Sequence, residues 1–128
     1  MKLATKIIAA FAIGATSVSA SHAAWEPIDD TLSWNTDSVR IIGNERTVFL
    51  KKTEPGKSPN GKRFTMIVTS QTINCRSISW HSTSIAFFDG QGNRVDGAEI
   101  PLYAQHEETI YPGTIAENIA QSVCARAG

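Results

Sequence analysis

Neither sign of charge is in excess in this chain, which carries 12 Lys and Arg against 12 Asp and Glu. A nucleic-acid binder usually leaves a net basic footprint, so the balance argues against that class. Long hydrophobic runs are missing too: the longest, Ile7 to Ala15, falls far below the ~20 residues a bilayer-spanning helix needs. Cysteine is scarce, with only 2, and no Cys-x-x-Cys spacing marks a zinc or redox site. Gly-x-Ser-x-Gly is absent, and no glycine loop opens a helix as phosphate cradles do, because Gly90 and Gly92 precede a strand pattern. Repeats and low-complexity tracts are also lacking, which points to a single domain.

What is present begins with a leader. Lys2 and Lys6 form a positive start, Ile7 to Ala15 an apolar core, and Ser21-His22-Ala23 a small-residue cleavage site. Residues 1–23 read as a signal peptide cleaved after Ala23, with Ala20 as the alternative, and residues 24–128 as one domain. No cysteine lies near that junction to take a lipid anchor. Loss of Lys2 and Lys6 leaves the mature chain slightly acidic.

The mature chain reads as strands followed by a helix. Trp25 to Asp30 leads in, with Trp25 and Ile28 folding back on the core. Leu32 and Trp34 alternate with polar neighbours, and Thr36, Asp37 and Ser38 interrupt before Val39 to Ile42 resumes. Arg46 to Lys52 is expected to be a strand, Thr53 to Gly61 a loop rich in Pro and Gly, and Arg63 to Cys75 the strongest strand. In that last run Phe64, Met66 and Val68 have one parity while Ile67, Ile73 and Cys75 have the other. Either both sheet faces are covered, or a bulge near Ser70 exchanges them. Ile78 to Phe88 follows, with Ile78 and Trp80 on one parity, then a hairpin tip at residues 89–93 and a returning strand from Arg94. Residues 97–108, with Pro101, read as a loop. Tyr111-Pro112-Gly113-Thr114 turns into a terminal helix with Thr114 as cap and Glu117 returning the bond. Ile115, Ala116, Ile119, Ala120, Val123 and Ala127 make its apolar arc, with Cys124 on the border. The expected class is α+β: an antiparallel sheet of four to six strands with a C-terminal amphipathic helix packed on it.

Cys75 ends the best strand and Cys124 the helix, and two cysteines in an exported chain read as one disulfide. Closing so long a loop is worth about 4 kcal/mol in the chain-entropy treatment. Candidate chemistry is thin elsewhere. His81 and His106, the only histidines of the mature chain, sit in no motif and read as solvent-facing. His106 with Glu107 or Glu108 supplies too few ligands for a metal. Asp29, Asp30, Asp37, Asp89 and Asp96 fall at turns and strand ends, where Asp bonds its own backbone. No catalytic residue, metal or cofactor is expected. Lys51, Lys52, Lys57, Lys62 and Arg63, opposed locally by Glu54, form a basic stretch. It reads either as solvated protection of an edge or as a contact patch for an acidic protein or polyanion.

Several landmarks together resemble the surface-adhesin protein E family, small exported domains of Gram-negative bacteria. They are a Trp soon after the leader, SWNTDSVR, TVFLKK, TINC at the end of the central strand, AFFDGQGNRV, and YPGTIAENIAQSVC. The resemblance runs from about Trp25 to Cys124. It implies an antiparallel sheet with a helix on it, Cys75 bonded to Cys124, no catalysis, and binding to protein partners such as host matrix components. The competing class is a soluble periplasmic envelope factor or inhibitor acting on a bacterial partner. An unpaired edge strand would allow a homodimer by sheet extension. Protein recovered from the cell envelope is expected to begin at Ala24 and to lack two hydrogens relative to the dithiol form, which N-terminal sequencing and intact mass will read.

Overall fold

The computed structural model describes residues 24–126; the segment read as a leader and Ala127 lie outside that range. Eight strands form one antiparallel sheet, which corrects the expected four to six. In chain order they are β1 (Trp25–Pro27), β2 (Leu32–Asn35), β3 (Arg40–Ile42), β4 (Glu45–Lys57), β5 (Arg63–Asn74), β6 (Ser79–Phe88), β7 (Arg94–Glu99) and β8 (Glu108–Thr109). A short 3₁₀ turn covers Leu102–Ala104, and helix α1 covers Ile115–Cys124. The sheet runs β1-β2-β4-β5-β6-β7. β3 pairs with the start of β4 beside β2, and β8 pairs with the start of β6 beyond β7. The three short strands β1, β3 and β8 account for the higher number.

The long strands depart from expectation through bulges. β4 continues to Lys57, through a segment read as loop, because a register shift between Thr53 and Gly56 places the extra residues, Pro55 among them, outside the ladder. Gly56 lets the Phe64 ring lie close there, since a Cβ would stand 2.9 Å from it. The second shift lies at Ser70 and Gln71, the expected level, but Ser70 faces Ser84 while Gln71 faces Ser82. The unpaired residue is thus Thr83 on β6, so it is β6 that changes parity and β5 that keeps an apolar residue on each face. β7 runs on to Glu99, and β8 occupies the end of the stretch read as loop. Ile78 does not point inward with Trp80: it takes φ 53° at the bend and is 41% exposed.

One face of the sheet carries the core. Trp34, Val48, Leu50 and Ile73 pack against Ile119, Ala120 and Val123 of α1, with Ile110 below the helix start. Ile28 and Leu32 pack at the edge of this cluster, as do both cysteines. Ile115 lies outside it at 40% exposure. The helix begins as its sequence implies: Thr114 Oγ1 accepts from Glu117 N at 3.2 Å, and Glu117 Oε1 accepts from Gly113 N at 2.9 Å, one residue earlier than an ideal capping box.

The helix end is held by groups distant in sequence. Cys75 and Cys124 are joined, with Cα atoms 5.7 Å apart across 49 residues. Beside them Arg46 is buried beneath the helix C-terminus. Its Nε donates to Val123 O at 3.2 Å and its Nη2 to Arg126 O at 2.9 Å, while Nη1 donates to Gly43 O at 2.8 Å and Glu45 O at 3.2 Å. The last carbonyls of a helix have no intrahelical donors and carry its negative pole, so a guanidinium serves both needs. Arg46 read only as the first residue of a strand in the sequence, and no local signal linked it to α1.

A helix of ten residues is marginal alone. In urea titrations Arg46→Ala should cost roughly 1.5–3 kcal/mol, the scale of hydrogen bonds to a charged donor, and Cys75→Ser with Cys124→Ser about 2–4 kcal/mol. Equal stability of Arg46→Ala and the unaltered protein would remove the arginine from this account.

Candidate functional site

His106 is exposed, as the sequence suggested, but His81 is not. His81, with only 18% of its side chain exposed, places Nδ1 2.8 Å from Glu107 Oε1. The other carboxylate oxygen, Oε2, accepts from Ser79 Oγ at 2.6 Å, and Ser77 Oγ lies 2.6 Å from Ser79 Oγ. Ser79 is buried. The position follows from the sheet: β7 pairs with β6 from Ser84 onward and β8 with Ser79 and Trp80, so the connecting chain must cross the edge of β6 between them. Glu107 fastens that crossing. A cavity of about 190 Å³ remains beneath it, lined by Trp80, His81, Ser82, Ile100, His106 and Glu108 among others.

Serine, histidine and carboxylate therefore meet, but in an order unsuited to nucleophilic catalysis. Activation of a serine needs the imidazole between hydroxyl and carboxylate, taking the hydroxyl proton. Here the carboxylate sits between and Ser79 donates to Glu107. Among the described residues no group of three or more His, Cys, Asp or Glu could hold a metal ion.

Of the acidic turn residues, Asp29 and Asp89 bond their own backbone as their positions imply. Asp29 accepts from Thr31 N and Leu32 N, each at 2.8 Å, and Asp89 from Gln91 N and Asn93 N, each at 2.9 Å. These backbone donors hold both carboxyls below the ordinary aspartate range. Asp96 does more than end a strand. Oδ2 accepts from Asn60 N at 3.1 Å and Oδ1 from Asn60 Nδ2 at 3.0 Å, which ties the β4–β5 hairpin tip to β7. The Ser58 hydroxyl and then the Asn60 backbone N–H lower its pKa.

The basic stretch is divided by the strand it lies on. Lys51 and Lys52 project to opposite faces of β4. Lys51 Nζ lies 4.5 Å from the Trp25 ring centroid, and Lys52 Nζ lies 3.0 Å from Glu54 Oε1. Further along, Lys57 and Arg63 are direct cross-strand partners, with Lys62 in the turn beside them. Like charges directly opposed destabilise a sheet. None of these three forms an ion pair among the described residues. The sequence grouped five cations, and the structure brings together three.

The His81–Glu107 pair makes stability depend on pH. Hydrogen bonding from Ser79, and then from His81 with its charge, lowers the Glu107 pKa against an opposing desolvation. A carboxyl whose folded pKa is depressed stabilises the fold above its unfolded pKa and loses that contribution as pH falls through the folded value. Glu107→Gln is expected to flatten the acid limb of the melting temperature against pH below the ordinary glutamate range. An unchanged limb would show that Glu107 does not fasten the crossing.

Residues 22–125 match the family described as Surface-adhesin protein E. Among solved structures the chain is similar to protein E from non-typeable Haemophilus influenzae, with TM-score 0.62 and 18% identity over 80% of this chain and 76% of that one. A second Haemophilus influenzae protein E structure gives TM-score 0.63 at 17% identity, over 80% of this chain and 84% of that one. No curated protein sequence matches the chain. At such identities the structural likeness speaks to the fold, while the family match spans nearly all of the chain after its first 21 residues. The antiparallel sheet, the C-terminal helix and the bond between Cys75 and Cys124 agree with what the sequence resemblance implied, and the chain belongs to the surface-adhesin protein E family.

Proposed function

We propose that this chain is an exported, non-enzymatic binding protein whose contact with protein partners is made by the basic hairpin tip. The observation that carries this reading is the direct opposition of Lys57 and Arg63, with Lys62 beside them, on a tip held in place by Asp96. Such an arrangement has an electrostatic cost that an acidic partner would offset. Family membership supports binding over catalysis, and the carboxylate-centred order of Ser79, Glu107 and His81 supports it from within the chain. The leader read in residues 1–23 favours delivery to the periplasm or beyond. No helix of the described residues is long and apolar enough to cross a membrane. The partner class we favour is an acidic surface on a host matrix protein.

Lys51 and Lys52 stand apart from this tip, engaged with Trp25 and Glu54. A homodimer formed by sheet extension would fall to β7, since β1 offers only three residues and includes Pro27.

Purified mature protein should be retained on heparin, a polyanion probe, and the variant Lys57→Ser/Lys62→Ser/Arg63→Ser should elute at clearly lower salt. Lys51→Ser/Lys52→Ser should shift far less. In parallel pull-downs the unaltered protein should capture matrix proteins and the triple variant should not. Coincident elution of the unaltered and triple-variant proteins would refute the tip. Capture of a bacterial envelope component alone would replace the adhesin reading with that of an envelope factor.

A further inference from the structure

The sheet face turned away from the helix holds a second feature, separate from the basic tip. Two neighbouring rungs of the ladder lie there. Arg40, Thr47 and Thr72 are cross-strand partners on one, and Phe49, Ser70, Ser84 and Glu99 on the next. Paired residues project to a common face, as do residues two apart on a strand. These side chains, with Ser38 and Thr83, line a groove of about 470 Å³. That volume falls in the range of small-molecule sites.

Hydroxyls make up its floor. Thr47 and Thr72 Oγ1 atoms are 3.0 Å apart, Ser84 donates to Ser70 at 3.0 Å, and Ser70 is also bonded to Thr83. Ser70 and Thr72 are buried at 5% and 8% exposure. Each hydroxyl has one proton and two lone pairs, so bonding among themselves leaves acceptor positions open toward the groove. In the midst of this polar floor Phe49 is 38% exposed. Arg40 and Glu99 stand on the outer strands β3 and β7, and neither forms an ion pair among the described residues.

The lining selects among ligands. One cation and one carboxylate balance, which favours neither a polyanion nor a polycation. A peptide strand needs free backbone groups at a sheet edge, but Thr47, Ser70, Thr72 and Ser84, which form the floor, are each paired on both sides. A lipid chain needs a broader apolar lining than one phenyl ring. A ring that is apolar on its face and hydroxylated at its edge meets each requirement. We propose that this groove binds a neutral oligosaccharide. Phe49 stacks on the C–H face of a pyranose, the Ser and Thr hydroxyls bond its hydroxyls, and Arg40 and Glu99 each engage an adjacent pair of hydroxyls from the two sides.

The test is ligand-observed NMR and calorimetry of mature protein against a panel of neutral oligosaccharides that includes chitotriose, maltotriose and N-acetyllactosamine. Members of the panel should bind, and Phe49→Ala and Glu99→Gln should each weaken binding about tenfold or more with the melting temperature retained. Leu102→Ser, which removes an exposed apolar side chain outside the groove, should leave binding unchanged. Absence of binding across the panel, or binding that survives both groove variants, would overturn the proposal. So would sedimentation showing that a second copy of the chain covers Phe49 at the concentrations used. Heparin retention reads the basic tip and not this groove, so failure of one proposal is distinguishable from failure of the other.

Discussion

A buried guanidinium at the C-terminal end of α1 determines how the two layers of this protein meet. Arg46 stands at the start of β4, yet it bonds carbonyls of Val123 and Arg126, across 77 and 80 residues of chain. Burying a cation is costly unless its donors are satisfied, and here every partner is a backbone oxygen. The helix can therefore end in only one place on the sheet. The disulfide acts on the same turn by a different means, since it limits the unfolded chain. Arg126 adds a third tie: its Nη1 donates to Thr36 O at 2.8 Å, and its guanidinium lies 5.6 Å from the Trp34 ring centroid. Covalent, charged and aromatic contacts converge within three residues of the C-terminal end of α1.

That convergence decides which surfaces remain for partners. With α1 and the apolar residues of β2, β4 and β5 committed to one face, the other face is free to carry hydroxyls and a lone exposed phenyl ring. The hairpin tip, beyond the reach of the helix, is steadied by Asp96 instead. Two unlike surfaces result, one cationic and one neutral, on a scaffold whose rigidity comes from elsewhere. Division of labour of this kind suits a binding protein, because side chains at either surface can change without disturbing the core.

Much of the scaffold was readable in the chain itself. Thr114 and Glu117 announced the helix start, the β-branched run before Cys75 announced the central strand, and two cysteines in a chain read as exported announced the bond. Bulges were not readable to the residue. Ser70 marked the right level, but whether the extra residue falls on β5 or on β6 depends on both strands at once, and Thr83 gave no local sign. Pro55 and Gly56 read as loop because local propensity opposes a strand there. Pairing with Phe64 across a bulge overrode that propensity.

Local chemistry therefore determined the main strands and the helix, the helix cap, the cysteine pair and the family resemblance, since each is carried by short runs of residues or by cysteine usage. Tertiary structure alone decided the roles of Arg46, Asp96 and Glu107 and the grouping of Arg40, Phe49 and Glu99. Their partners lie between 26 and 80 residues away along the chain for the hydrogen bonds, and across five strands for the groove. Such side chains look ordinary in sequence because a charge or an aromatic ring acquires its role from what faces it, and what faces it is set by strand register.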